Sequence, residues 1–208
     1  MDIPGSLAEQ LCLLGYDPRR ERVVTGLPFP YLLRAAALTD LLLRGRIADD
    51  GGRVRVLTEE AVGDPVLDDL LAALAASPPR TWRHWIGKDR RRTVEAVLDR
   101  LEEKRLVRRE TRKQLLIFST RLVRVRDTRV SRRLADRVHG ALTGPVSRVD
   151  ARDAALVALA AAGEVGTVLP SAKRREHRQR IAQLTERSGP ASPALRSVVR
   201  QARAAYSG

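Results

Sequence analysis

Residues 32–46 read LLRAAALTDLLLRGR, and the fold turns on how this stretch is interpreted. Leu and Ala recur at three- and four-residue spacing, with no glycine or proline before Arg44. Residues of this kind are good helix formers, so the spacing predicts a core helix over Tyr31–Arg44. Pro28 and Pro30 restrict the approach to it and Gly45 marks its exit. Arg34 sits near the N-terminal end of this apolar segment, and Asp40 lies well along it. Arg34 has two readings. It is either a rim residue whose aliphatic stem covers apolar surface while the head stays wet, or an anion ligand in a pocket.

Working outward, the neighbouring segments read mainly as helices. Ser6–Tyr16 has Ser6 as an N-cap and Glu9 three residues on, the pattern of a capping box, with Leu7, Leu11 and Leu14 on one side. Asp17–Thr25 is charged loop with a short extended piece at Arg22–Thr25. Arg46–Ala48 and Arg53–Leu57 form a small hairpin about the Gly51–Gly52 turn. A helix follows at Pro65–Ala76, capped by Asp64, with Val66, Leu70, Leu71 and Leu74 inward. Thr81–Ile86 is a helical turn carrying Trp82 and Trp85.

Arg91–Lys104 is amphipathic, with Val94, Val97, Leu98 and Leu101 at i, i+3, i+4 and i+7. Two strands, Leu106–Arg109 and Leu115–Ser119, flank a polar turn, so helix and hairpin together look like part of a winged helix. Thr128–Leu142 is helical with Val130, Leu134, Val138 and Leu142 inward. Arg152–Ala162 reads as a buried helix capped by Asp150, Ser171–Arg187 as one basic helix and Pro193–Tyr206 as the last. The expected fold class is therefore mainly α-helical, a compact single domain over 1–208 with short β-hairpins.

Composition narrows the function classes. The fraction AVILMFWYC is 43%, enough for a core, but aromatics are 3%, so Ala, Leu and Val must fill it. The opening MDIPGSLAEQ has no basic start and no apolar run, and no stretch reads as a membrane span; the expectation is a cytoplasmic protein. Cys12 lies among leucines and reads as a buried small hydrophobe. Lys and Arg number 39 against 25 Asp and Glu, a formal net charge of +14, which favours a polyanionic partner, nucleic acid or an anionic membrane.

Catalytic patterns are missing from the sequence. His84, His139 and His177 stand far apart with no Cys or carboxylate at metal spacing, and neither GxxxxGK[ST] nor GxGxxG occurs. The expectation is no enzyme, no cofactor and no metal. What stands out is basic clustering in RLVRVRDTRVSRRLADR, where Arg129, Arg132 and Arg133 share one helical side with Arg126 just ahead. Their long stems could converge on a phosphate, which a guanidinium engages through two donors; a solvated face is the alternative. Further basic runs at Lys88–Arg92, Lys104–Lys113 and Lys173–Arg180 are partly balanced by acids and lack stacking aromatics in series, which disfavours single-stranded nucleic acid.

Several segments together resemble one family. LAEQLCLLGYD, LRAAALTDLLLRGRI, GDPVLDDLLAAL with SPPRTWRHWI, and VEAVLDRLEEKRLVRRE with QLLIF follow in the order seen in the Golgi phosphoprotein 3 family, whose bacterial members are frequent in actinobacteria. The resemblance implies a compact, mostly helical domain. It also implies function: eukaryotic members bind phosphatidylinositol 4-phosphate on membranes and act as adaptors retaining Golgi glycosyltransferases. Their headgroup pocket uses a tryptophan, an arginine at the start of the LRGR-containing helix and basic residues of a later helix. Arg34 falls on that arginine, and Arg133, with Arg129 or Arg132, matches the basic group. The tryptophan's equivalent is Thr25, with Phe29 the candidate to replace it from a shifted loop. The family's membrane-contact hairpin would lie near Leu142–Asp150.

The resulting expectation is non-catalytic binding of anionic phospholipid headgroups, phosphatidylinositol 4-phosphate-like, by a cytoplasmic, peripherally membrane-associated protein. Arg34, Arg133, Arg129 and Arg132 would be the headgroup-binding residues. The rivals are a winged-helix-like DNA-binding protein using Arg91–Ser119, and an adaptor for a protein client.

Overall fold

The computed structural model describes residues 3–114 and 118–207. At its centre runs α2 (Phe29–Leu43), in which every residue from Leu32 to Leu41 is buried. A helix buried all round needs neighbours on every side. Six helices supply them: α1 (Leu7–Leu14), α3 (Pro65–Ala75), α4 (Trp82–Gly87), α5 (Arg90–Glu103), α7 (Ala151–Ala162) and α10 (Ala191–Ser207). Outside this shell, α6 (Thr128–Thr143) packs on α1 and α7, and α9 (Arg178–Arg187) on α7 after the short α8 (Ser171–Glu176). The described residues thus form a compact, mainly helical single domain with a few short antiparallel strands.

The start of α1 is capped from α2. Ser6 makes no side-chain capping bond, and Glu9, at 1% exposure, is drawn away to Lys104 Nζ at 2.5 Å. The expected capping box does not form. Instead the fully buried Asp40 accepts the Leu7 N–H through Oδ2 at 2.6 Å and Arg152 Nη1 through Oδ1 at 2.7 Å. A carboxylate here satisfies an orphan donor and complements the positive end of α1, while Arg152 supplies its countercharge.

Local chemistry sets the other boundaries. Asp64 accepts the Val66 and Leu67 N–H groups at the start of α3. Two short strands, β1 (Tyr16–Asp17) and β2 (Arg22–Val23), follow α1. Gly51 and Gly52, at φ +57 and +81, turn β3 (Ile47–Asp50) into β4 (Arg53–Val56), which also pairs β5 (Arg80–Thr81). Such a turn needs two left-handed residues in succession, and glycine adopts that conformation without a steric penalty. Trp82 Nε1 donates to Asp49 Oδ1 at 2.5 Å, tying α4 to this sheet.

Three further features depart from the sequence reading. The second hairpin is longer than expected: β6 (Val107–Gln114) pairs β7 (Phe118–Val125), so residues read as a basic lead-in to α6 are strand. The first three residues of the expected strand Leu115–Ser119 lie outside the described residues. The basic stretch 171–187 is broken at His177 into α8 and α9. And Leu142–Asp150, the place expected for a membrane-contact hairpin, holds the end of α6 and a 3-10 turn at Val146–Arg148. Pro145 has no N–H for a ladder. The carbonyls there go instead to α9: Arg180 donates to Ala141 O and Gly144 O at 2.9 and 2.6 Å, and Arg187 to Val146 O and Val149 O at 2.8 and 2.9 Å.

Candidate functional site

Arg34 is 6% exposed, and two bonds fix its guanidinium. Nε donates to the Trp85 carbonyl on α4 at 3.1 Å, and Nη1 to Thr93 Oγ1 on α5 at 3.1 Å. Trp85, itself 1% exposed, makes that anchor rigid. Nη2 makes no hydrogen bond with any described residue. The side chain lines a cavity of about 160 Å³ together with Asp69, Asp89, Arg92 and Thr93, walled by Val66, Leu70 and Ala73. Burial lowers the Arg34 pKa to about 10; Asp89 acts against the shift and Arg92 adds to it. The rim-residue reading of Arg34 is therefore set aside: its head is buried and forms no ion pair with Asp69 or Asp89, the carboxylates that line the same cavity.

The mouth of the cavity is the start of α5, and its chemistry is unusual. Three arginines, Arg90 to Arg92, occupy the first turn, where the unpaired N–H groups and the macrodipole already carry positive potential. Acidic residues normally sit there. Asp89, at the N-cap, makes no capping hydrogen bond and holds a left-handed φ of +52°. Backbone strain of this kind is retained only where the surroundings impose it. Arg90 turns away, donating to Gly87 O at 2.8 Å and stacking over the Tyr31 ring at 4.4 Å. Arg92 meets Asp69 at 3.4 Å, in a pair with 81% and 70% of the side chains exposed. An exposed pair of that length holds Arg92 weakly, so it can exchange Asp69 for another anion.

The other expected residues lie elsewhere. Arg129, Arg132 and Arg133 do come together, lining a concavity of about 410 Å³ with Asp127 and Asp136. Arg34 is not in that lining, and none of the three lines the Arg34 cavity. Arg129 is bound to its neighbour: Nε and Nη2 reach the two oxygens of Asp127 at 3.0 and 3.1 Å, and the same carboxylate raises the Arg129 pKa. Thr25 is exposed. Phe29 is not in the lining of the Arg34 cavity; it lines a different and larger one. Of the aromatic residues, Trp85 meets Arg34 through its carbonyl and Tyr31 lies under Arg90.

The sequence reading missed Arg92, Thr93 and Asp89, although Lys88–Arg92 stood out as a basic run. Its signal was position: cations in the opening turn of a helix run against the dipole. A family model for Golgi phosphoprotein 3 (GPP34) matches residues 7–202. The chain belongs to the Golgi phosphoprotein 3 family. A search of curated proteins gives no match. The match takes in α2, α3 and α5, the helices whose residues line the Arg34 cavity.

Proposed function

We propose that this Golgi phosphoprotein 3 family member binds the phosphate of an anionic phospholipid headgroup, phosphatidylinositol 4-phosphate-like, at a membrane surface and without catalysis. One observation carries the reading. A buried guanidinium with donors to spare stands beside an arginine-rich helix start that lacks a side-chain cap. A phosphate in the cavity would accept from Arg34 Nη2, from open N–H groups of the first turn of α5 and from Arg92. It would give Arg34 the direct ion pair that neither Asp69 nor Asp89 makes. At about 160 Å³ the cavity suits one phosphate and leaves the rest of the headgroup outside.

The wider surface has a separate role in this proposal. Arginines such as Arg132 and Arg133 add attraction to an anionic leaflet, roughly 1 kcal/mol each where they approach it, without selecting a headgroup. No helix among the described residues is long and apolar enough to cross a membrane, which is compatible with peripheral attachment.

Vesicle co-sedimentation tests the proposal. Vesicles carrying phosphatidylinositol 4-phosphate should bring down more protein than phosphatidylglycerol vesicles of equal charge, and the excess should vanish in Arg34→Gln. Indifference to all anionic vesicles, or an excess unchanged by Arg34→Gln, would overturn it.

A further inference from the structure

Residues two apart on a helix point to roughly opposite sides, so Leu32 and Arg34 face different surroundings. On the Leu32 side lies a cavity of about 760 Å³, within the range of pockets for small organic ligands. Leu11, Phe29 and Leu32 form an apolar floor, and Val24 stands at the wall. Val24 is one of two large hydrophobic side chains left exposed among the described residues, at 38%. Segments at 17–20, 24–28 and 163–170 close the cavity over the helices, the arrangement by which loops on a rigid frame make ligand sites.

Its rim carries charges that largely cancel. Arg20 pairs with Asp17 at 3.6 Å, and Arg203 with Glu164. The Glu164 pair is held on a strained residue. A Cβ at Gly163 would lie 2.8 Å from Leu32 Cδ1 and would force that side chain to shift, and Glu164 takes the left-handed conformation that ends α7, at φ +55°. Arg19 is different: its side chain makes no ion pair or hydrogen bond with the described residues. Elsewhere in the same lining, the N–H groups of Gly166 and Thr167 enter no backbone hydrogen bond with the described residues, whereas those of Val168 and Leu169 both go to Val165 O. One exposed arginine outside any ion pair and two exposed N–H groups therefore border the floor of Leu11, Phe29 and Leu32.

We infer that this cavity binds a single-chain amphiphile with one anionic end, such as a long-chain carboxylate. The hydrocarbon lies over Leu11, Phe29 and Leu32, and the carboxylate is held at the rim by Arg19 and the open N–H groups. The inference is independent of the headgroup site, since none of these residues lines the Arg34 cavity.

The test is a titration of the full chain with the fluorescent fatty acid dansyl-aminoundecanoic acid. A saturable emission gain at one probe per chain is expected, displaced by palmitate and about tenfold less well by hexadecanol, which lacks the charge. Gly26 and Gly166 both line the cavity and lack a positive φ; a Cβ at Gly166 would meet open space and one at Gly26 would make only an ordinary contact with Pro28 Cδ at 3.8 Å, so Phe fits at both without backbone strain. Gly26→Phe and Gly166→Phe should keep the wild-type melting temperature and weaken probe binding about tenfold or more, because their rings occupy the ligand's space. Arg19→Ala should narrow the gap between palmitate and hexadecanol. Arg34→Gln should leave the titration unchanged. No saturable gain, a gain that survives both phenylalanines, or equal displacement by hexadecanol would overturn the inference.

Discussion

Arginines on α6 and the arginine of α2 were both candidates for holding a phosphate, and folding separates them. Arg129, Arg132 and Arg133 are clustered in sequence and remain together on the exposed face of one helix, beside Asp127 and Asp136. Arg34 is alone in an apolar segment, yet it is buried at a junction of three helices. Clustering along a helix brings its own acids with it and leaves the charges in water, where ion pairs are weak and screened. Convergence from different helices strips a charge of solvent and leaves it to be completed by a ligand. In the proposed reading, isolation against an apolar background marks the anion site better than density of charge along the chain.

The contrast can be broken by substitution. Arg34→Gln should have the largest effect on headgroup binding, a loss of about thirtyfold or more in vesicle affinity, as for truncating one member of a buried charge pair. Arg92→Ala, which removes an exposed partner at the same mouth, should cost about tenfold, in line with one charged hydrogen bond. Arg132→Ala and Arg133→Ala should each cost at most about fivefold, equally for phosphatidylinositol 4-phosphate and phosphatidylglycerol, and the loss should fade as salt is raised. A larger loss on α6 than at Arg34, read by the same sedimentation assay, would reverse the comparison.

Titration sharpens it. Arg34 has its pKa lowered to about 10, so between that pH and the ordinary arginine value the unfolded chain binds more protons than the folded one. Stability contributed by this group therefore rises with pH across that window, by up to about 1 kcal/mol per pH unit. Wild type should gain stability relative to Arg34→Gln as pH passes about 10, in urea melts at fixed ionic strength. Cys12, fully buried, works in the opposite sense. Its pKa is raised from 9.0 to about 12, so stability from this group falls as the unfolded thiol ionises, and Cys12→Ala should remove that fall. The smallest effect belongs to Arg129→Ala, which should leave the melting temperature unchanged because its pair with Asp127 is held in water.

Elements whose causes are local were legible from the chain. Asp64 caps α3, Gly51–Gly52 closes β3 on β4, and Val130, Leu134, Val138 and Leu142 point inward from α6. Features set by distant residues were not. The cap of α1 comes from Asp40, which no pattern near Ser6 contains. Arg180 and Arg187 read as part of a basic surface, yet they are spent on carbonyls of the 141–149 turn, so part of the positive charge is not available to a partner. The candidate site follows the same division. Arg34 could be singled out from its surroundings and from resemblance, but Arg92 and Thr93 join it only through the packing of α5 on α2, which sequence spacing does not encode.

The central claim is that Arg34, rather than the α6 cluster, meets the phosphate. Arginine side-chain NMR addresses it directly, because the Arg34 Nε–H is held by the Trp85 carbonyl at 3.1 Å and is buried away from exchange. Titration with soluble glycerophosphoinositol 4-phosphate should shift the Arg34 Nε–H signal saturably and leave those of Arg129, Arg132 and Arg133 in place. Saturable shifts on α6 with a stationary Arg34 signal would contradict the claim.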